Sequence, residues 1–336
     1  MTDRNAPPAP PRRVALLGAT GTIGRATAAA LVRRGHDVTC FVRPRAGQPG
    51  PVDPAALGLP AGVALRPVDP TDAAALAAAF AEDRFAAVIS CLASRTGEPA
   101  DARAIDHRAQ SLALAAAYAA GVGHFVLLSA ICVQKPLLAF QQAKLAFEAE
   151  LAAAGLRYSI VRPTAFFKSL SGQVERLRRG KPFLIFGDGR LTACKPISDA
   201  DLADYLVGCL DDETRWNRVL PIGGPGPALT PREQGEMLFA LLGRTPRFRS
   251  VPVGLLDAII GVLATLGRLV PRLAAKAELA RIGRYYATES MLVLNPASGR
   301  YDADATPEAG TERLSDHYRA LLAGTIADQR GDHAVF

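Results

Sequence analysis

Between Val14 and Val161 six short apolar runs, at 14–18, 38–42, 63–68, 86–92, 124–129 and 157–161, take turns with Ala/Leu-rich stretches of helical character. Parallel strands cannot be joined by tight turns, so apolar runs separated by helix-length segments predict crossover connections and an α/β fold with a doubly wound parallel sheet. Gly35, Gly121 and Gly155 each stand where a helical stretch gives way to the next run, the place for a left-handed residue after a helix. With 336 residues, 49% apolar and 21% charged, the chain is long enough for one large domain or two small ones. The same figures exclude a disordered chain and a small disulfide scaffold.

After Pro163 the rhythm loosens. A helix is expected near 166–178, an extended segment around 182–197, a helix over 199–210 and a strand near 218–222. Thr230-Pro231-Arg232-Glu233 supplies an N-cap, a proline at the first helical position and a glutamate at the third, which predicts a helix to about Leu242. The stretch 251–270, VPVGLLDAIIGVLATLGRLV, is the most apolar in the chain but is broken by Asp257 and Arg268. A membrane span needs about 20 residues with almost no charge, so this segment falls short. It reads as a helix covering a substrate pocket or packing at an interface between copies; the alternative is a helix lying in a membrane surface.

The net charge of +7 suits an anionic ligand, nucleic acid or an anionic membrane surface. The basic residues are dispersed and do not alternate with aromatics, so nucleic-acid binding is not expected. Cys40, Cys91, Cys132, Cys194 and Cys209 lie far apart, and the five histidines form no HExxH arrangement. Neither a metal site nor a disulfide framework is expected, and a reducing cytoplasm is the simplest compartment. Residues 1–13 contain no apolar run of the kind a secretory signal carries.

Gly18-Ala19-Thr20-Gly21-Thr22-Ile23-Gly24 follows the first apolar run directly and opens the first helical stretch. Glycine permits the tight turn and lets a pyrophosphate approach bare backbone, while the helix N-terminus presents free N–H groups and a positive dipole end. Dinucleotide binding follows from that context. Where an NAD site places a carboxylate after the second strand, this chain reads Val42-Arg43-Pro44-Arg45. Arg43 in place of an acid removes repulsion toward a 2′-phosphate and offers a charge-assisted contact, so NADPH is the expected cofactor. Asp69, after the third run, is placed to approach the adenine, though Asp before Pro is equally a turn residue. The expected division is a flexible tail over 1–12, an NADP-binding Rossmann core over 13–165, a smaller substrate-binding region over 166–325 and a tail over 326–336.

Ligands of open α/β sheets bind beyond the carboxyl ends of the strands. Those ends are Cys91-Leu92-Ala93-Ser94, Ser129-Ala130 and Arg162-Pro163-Thr164-Ala165-Phe166-Phe167-Lys168, of which Cys91, Leu92, Ala93, Ser129, Pro163, Thr164, Ala165 and Phe166 are expected at the cofactor. The GATGTIG loop, the LLSA strand end, Lys144 in the next helix and the VRPT strand end together resemble the atypical short-chain dehydrogenase/reductase superfamily. The segments QKPLLAFQQAKLAFEAEL, RPTAFFKSL, FGDGRLTACKPISDADLA and YDADATPEAGTERLSDHY are similar to those of the NADPH-dependent divinyl chlorophyllide a 8-vinyl-reductases. That resemblance runs from the first strand to about residue 322. It implies reduction of the C8 vinyl group of a chlorophyll precursor to ethyl with a hydride from NADPH, and a tetrapyrrole as the partner molecule. A cytoplasmic protein is expected, touching the photosynthetic membrane if 251–270 lies in its surface.

Carbonyl reductases of the wider superfamily carry YxxxK, in which the phenol protonates the nascent alkoxide and the lysine holds the ribose. Here the segment is Phe140-Gln141-Gln142-Ala143-Lys144, with the lysine kept and the phenol gone. Residues at i and i+4 share a helix face, so Phe140 stands where the acid would. An alkene has no alkoxide to protonate, so the change agrees with vinyl reduction. Lys144 is the expected catalytic residue. Phe140, Phe167, Phe183 and Phe186, with Phe166, are candidates to pack on the flat substrate, and Lys168 and Lys195 to meet its propionate or the 2′ side of the cofactor. A nucleotide-binding sensor or assembly factor would also lack the phenol, and a reductase of quinones or enones is a further alternative.

Overall fold

The computed structural model describes residues 10–44 and 53–326. Arg45 and most of both expected tails lie outside these residues. All six predicted strands form: β1 (Arg13–Leu17), β2 (Asp37–Val42), β3 (Val63–Pro67), β4 (Ala87–Ser90), β5 (His124–Leu128) and β6 (Arg157–Pro163). Between them run α1 (Thr22–Arg33), α2 (Ala73–Glu82), α3 (Pro99–Asp101), which continues through a π-helical stretch Ala102–Ala109 into α4 (Gln110–Ala119), and α5 (Ala139–Ala153). The glycines at 35, 121 and 155 all have positive φ, as a left-handed end residue requires.

Beyond β6 come α6 (Val174–Arg178), β7 (Phe183–Phe186), α7 (Asp199–Gly208), β8 (Arg218–Ile222), α8 (Pro231–Leu241), β9 (Phe248–Val251), α9 (Val253–Gly267), α10 (Pro271–Thr288), the short pair β10 (Val293–Leu294) and β11 (Tyr301–Asp302), and α11 (Leu314–Ala323). The single helix expected over 166–178 is instead a 3₁₀ turn, Phe167–Leu170, followed by α6. The hydroxyl of Ser171 turns back onto the Phe167 carbonyl, a local bond that competes with helix continuation. At α8 the capping box is present, with Thr230 and Glu233 exchanging hydrogen bonds.

The main sheet is wholly parallel, in the order β3-β2-β1-β4-β5-β6-β8. Its inner strands are buried on both sides. Val14, Leu16, Val38, Cys40 and Ile89 face Ala28 and Leu31 of α1 and Leu202 and Leu206 of α7. Ala15, Leu17, Val88, Phe125 and Ile160 face Leu76 of α2, Leu114 of α4 and Phe147 and Leu151 of α5. This two-sided burial is why the strands read as continuous apolar runs. Because β8 completes this sheet and α7 packs on α1, the chain crosses the expected boundary at 165 and returns. The smaller lobe has its own core of Phe167, Val174, Leu177, Phe183, Ile185, Leu238, Phe239 and Tyr318.

α9 and α10 form a helical hairpin. No residue of α9 is buried, and its principal neighbour is α10. The inner face of α10 places Ile282 and Tyr285 against Ile131, Cys132 and Leu138, beside the start of α5. The helix of the apolar segment 251–270 thus lies outside α10, and α10 is the one that packs beside the start of α5. Among the described residues no helix is long and apolar enough to cross a membrane.

His124 opens β5 with 1% of its surface exposed, its Nε2 3.1 Å from the Ser159 hydroxyl. Burial, reinforced by Arg157 and Arg12, pushes its pKa down to about 4. An unfolded histidine takes its proton near pH ~6.5, so the stabilisation is complete above that pH and is lost as pH falls toward the folded value. The loss should be on the order of 3 kcal/mol. Urea unfolding of the wild type should show this decline between the two values and His124→Gln should not; equal slopes for both would refute the assignment.

Candidate active site

The glycine turn is built by backbone lying on backbone. Gly18 has φ +71°, and a Cβ there would stand 2.6 Å from the carbonyl carbon and oxygen of Cys91. A Cβ on Gly24 would stand 2.1 Å from the Gly18 oxygen, so α1 seats directly on the turn only because that side chain is missing. Ala19 and Ile23 are buried beneath, whereas Thr20 and Gly21 are exposed. Gly21 is the N-cap of α1, no side chain caps this end and no acid lies in the first turn. The free N–H groups and dipole of α1 thus face outward at a helix end that carries no acid of its own, which fits a pyrophosphate.

Lys168 lies at this helix end. Its ammonium donates to the hydroxyl of Thr22 in the first turn of α1. Burial pulls its pKa below the ordinary lysine value, with Asp199 opposing and Arg25 reinforcing the shift. Expected to meet a propionate or the 2′ side of the cofactor, Lys168 is instead brought by the 3₁₀ turn after β6 to the N-terminus of α1. At the other end of the turn Arg43 is exposed just past β2. Its charge reaches Asp69, whose pKa is held down first by the backbone N–H of Thr71 at 2.9 Å and its hydroxyl at 2.7 Å. Asp69 is a turn residue facing Arg43. Cys91 presses its backbone on Gly18, Leu92 is buried behind it and Ala93 is exposed.

Three residues spaced by four, Phe140, Lys144 and Glu148, share the face of α5 that looks toward the ends of β5 and β6. The Lys144 ammonium lies 2.9 Å from Oδ1 of Asp106, which is 1% exposed and also accepts from the Ser94 N–H at 3.3 Å. The other oxygen of Asp106 is buried without a hydrogen-bond partner among the described residues. Asp106 projects from the π-helical stretch between α3 and α4, where the altered winding re-aims side chains. One turn along α5, Glu148 accepts the hydroxyl of Ser129 and pairs with the guanidinium of Arg162, Nε–Oε1 3.2 Å. The Ser129 hydroxyl is thereby committed. Asp106 is absent from the motif-based expectations, and Glu148 and Arg162, though inside the quoted segments, carry no role there; a mostly buried lysine demands a counter-charge, and that demand is the signal for Asp106.

Phe140 is half-buried. The Gly97 loop lies between it and Ile282 of α10, so closely that a Cβ on Gly97 would be 2.9 Å from Ile282 and 3.6 Å from the Phe140 ring. α10 also brings two phenols here: Tyr285 donates to the Cys132 carbonyl at 2.8 Å, and the Tyr286 hydroxyl is 3.9 Å from the Cys132 sulfur. Burial raises both tyrosine pKa values.

After β6, Thr164 is tied to Ile222 by its N–H at 2.9 Å and to the Lys195 carbonyl by its hydroxyl. Pro163 is buried, Ala165 packs near Ile131 and Cys132, and Phe166 bridges to Ile197 against the main core. The remaining substrate candidates lie elsewhere. Phe167 is 5% exposed with its ring 5.4 Å from His317, and Phe183 is 4% exposed against Phe248 at 6.1 Å; both are core of the smaller lobe. Phe186 ends β7 in that lobe, in register with Val251. Lys195 is buried and directs its ammonium at Glu308 at 2.5 Å and the Thr306 carbonyl at 3.2 Å.

Over residues 18–213 the chain matches the family described as NAD(P)H-binding. It is 50% identical over 333 residues to the chloroplastic divinyl chlorophyllide a 8-vinyl-reductase of Oryza sativa subsp. indica, covering 96% of this chain and 82% of that protein. To the protein of the same name from Arabidopsis thaliana it is 46% identical, covering 94% and 78%. The fold is similar to that of the binary complex of leucoanthocyanidin reductase and NADPH from Vitis vinifera, with a TM-score of 0.66 at 16% identity, over 93% of this chain and 99% of that one. With a glycine turn shaped for a dinucleotide, a lysine held on α5 and this degree of identity across nearly its whole length, the chain belongs to the divinyl chlorophyllide a 8-vinyl-reductase family.

Proposed function

We propose that this protein reduces the C8 vinyl group of a divinyl chlorophyllide to ethyl, with NADPH as the source of the hydride. The observation that carries the reading is the face of α5: Lys144 is kept and held by a buried carboxylate, while the position of the carbonyl-reductase acid is a phenylalanine. A carbonyl substrate would need an acid there; a vinyl group conjugated to a macrocycle does not.

The N-terminus of α1 and Lys168 take the pyrophosphate, and Arg43 takes the 2′-phosphate. Lys144, kept in place by Asp106, donates to the nicotinamide ribose and puts positive charge near the transfer. NADPH held there would supply a hydride for the outer vinyl carbon, the macrocycle would delocalise the charge, and the inner carbon would take a proton. Phe140 has none to give and the Ser129 hydroxyl is bound to Glu148, so neither of these supplies it. Phe140 and the α10 residues opposite it give the flat substrate an apolar wall.

The direct test is absorbance. Purified protein, NADPH and divinyl chlorophyllide should give a blue shift of the Soret band as one conjugated vinyl is lost; nucleotide binding with no shift would overturn the reading. Lys144→Ala should cut turnover by roughly 2–4 kcal/mol of barrier, and Phe140→Tyr should retain most of it. Normal turnover by Lys144→Ala would take α5 out of the site.

The two cations should separate by cofactor. Arg43→Ala should weaken NADPH on the order of tenfold or more and leave NADH nearly unchanged, whereas Lys168→Ala should weaken both, because the phosphates it faces are common to them. Fluorescence titration of each variant with each nucleotide decides this, and an equal loss of both cofactors in Arg43→Ala would contradict its assignment.

A further inference from the structure

α9 is apolar and uncovered. Its only polar side chains are Asp257 and Thr265; Asp257 pairs with Arg284 of α10 and Thr265 bonds the Gly261 carbonyl at 2.8 Å. The outer face is a stripe of Leu255, Ile259, Val262 and Leu266, each 40–59% exposed. At 100° per residue these four fall within roughly 60° of the circumference. The stripe runs on into the tip, where Leu269 is 85% exposed and Val270 45%. The two helices pack closely at the turn, since a Cβ on Gly267 would stand 2.8 Å from the Ala274 nitrogen.

The charges at the tip end of this stripe are all of one sign. Arg268 at the tip and Arg272 and Lys276, one turn apart on α10, are exposed, and none forms an ion pair among the described residues. Between Arg268 and Lys276 the sequence contains no acid. We propose that the outer face of α9 and the tip joining it to α10 lie in the surface of an anionic lipid bilayer, with the stripe among the acyl chains and the three cations at the headgroups. A 15-residue helix is about 22 Å long, too short to cross a hydrocarbon core of about 30 Å, so it lies along the surface. A second copy fits less well, because pairing this patch with itself about a two-fold axis sets the uncompensated cations of both copies beside one patch. This inference rests on exposure and charge and stands apart from the reduction chemistry.

The test is sedimentation of the whole protein with vesicles of phosphatidylcholine alone or with phosphatidylglycerol added. The wild type should sediment with the anionic vesicles and be released by salt. Val262→Asp/Leu266→Asp should stay in solution, and Arg272→Gln/Lys276→Gln should bind roughly tenfold or more weakly, while both keep NADPH affinity, which shows that they are folded. Binding of both variants at the wild-type level would overturn the proposal. So would failure of the wild type to bind anionic vesicles, or a wild-type dimer that Val262→Asp/Leu266→Asp splits with vesicle binding unchanged.

Discussion

The contact on which the rest of the structure depends is the one among Gly18, Gly24 and the backbone of Cys91. There three elements meet with no side chain between them: the end of β1, the first turn of α1 and the chain leaving β4. Any Cβ would force α1 off the sheet or the sheet strands apart, and either shift would displace the free N–H groups of the helix. Packing and binding are here one constraint. Lys168 depends on it too, since the ammonium reaches its place by bonding Thr22, whose position α1 sets.

The chemistry stands on a second constraint, the cost of burying charge. The face of α5 carries a lysine and a glutamate one turn apart, and each is matched separately, Lys144 by Asp106 and Glu148 by Arg162. Loss of one partner from such a pair would leave an uncompensated buried charge, at a cost of about 3–5 kcal/mol. The pairs therefore act as positioning devices: the lysine stays at the end of the sheet and the serine hydroxyl is withdrawn. What remains open on that face is the Phe140 ring, which suits a site that handles an extended π system rather than a carbonyl oxygen.

The sheet was legible because its inner strands are buried on both faces and so appear as unbroken apolar runs; the capped start of α8 was legible because Thr230, Pro231 and Glu233 each satisfy a local need. Local signals fail where partners are remote. β8 looks like any short strand, and only the sheet shows that it closes the edge beside β6. Phe167 and Phe183 were correctly apolar and wrongly assigned, since hydrophobicity announces burial without naming the core. Lys195 fails the same way: nothing near it in sequence reveals Glu308, more than a hundred residues on. Asp106 belongs to no motif and could have been found only by asking what neutralises Lys144.

The central claim is that this site delivers a hydride to the outer carbon of a vinyl group. The most direct measurement is NMR of the product made with NADPH deuterated at the transferred position. The account expects one deuterium in the methyl of the new ethyl group, and, for reaction in heavy water with ordinary NADPH, one deuterium in its methylene. Label from the cofactor at the methylene, or on a carbon bearing a new hydroxyl, would contradict it.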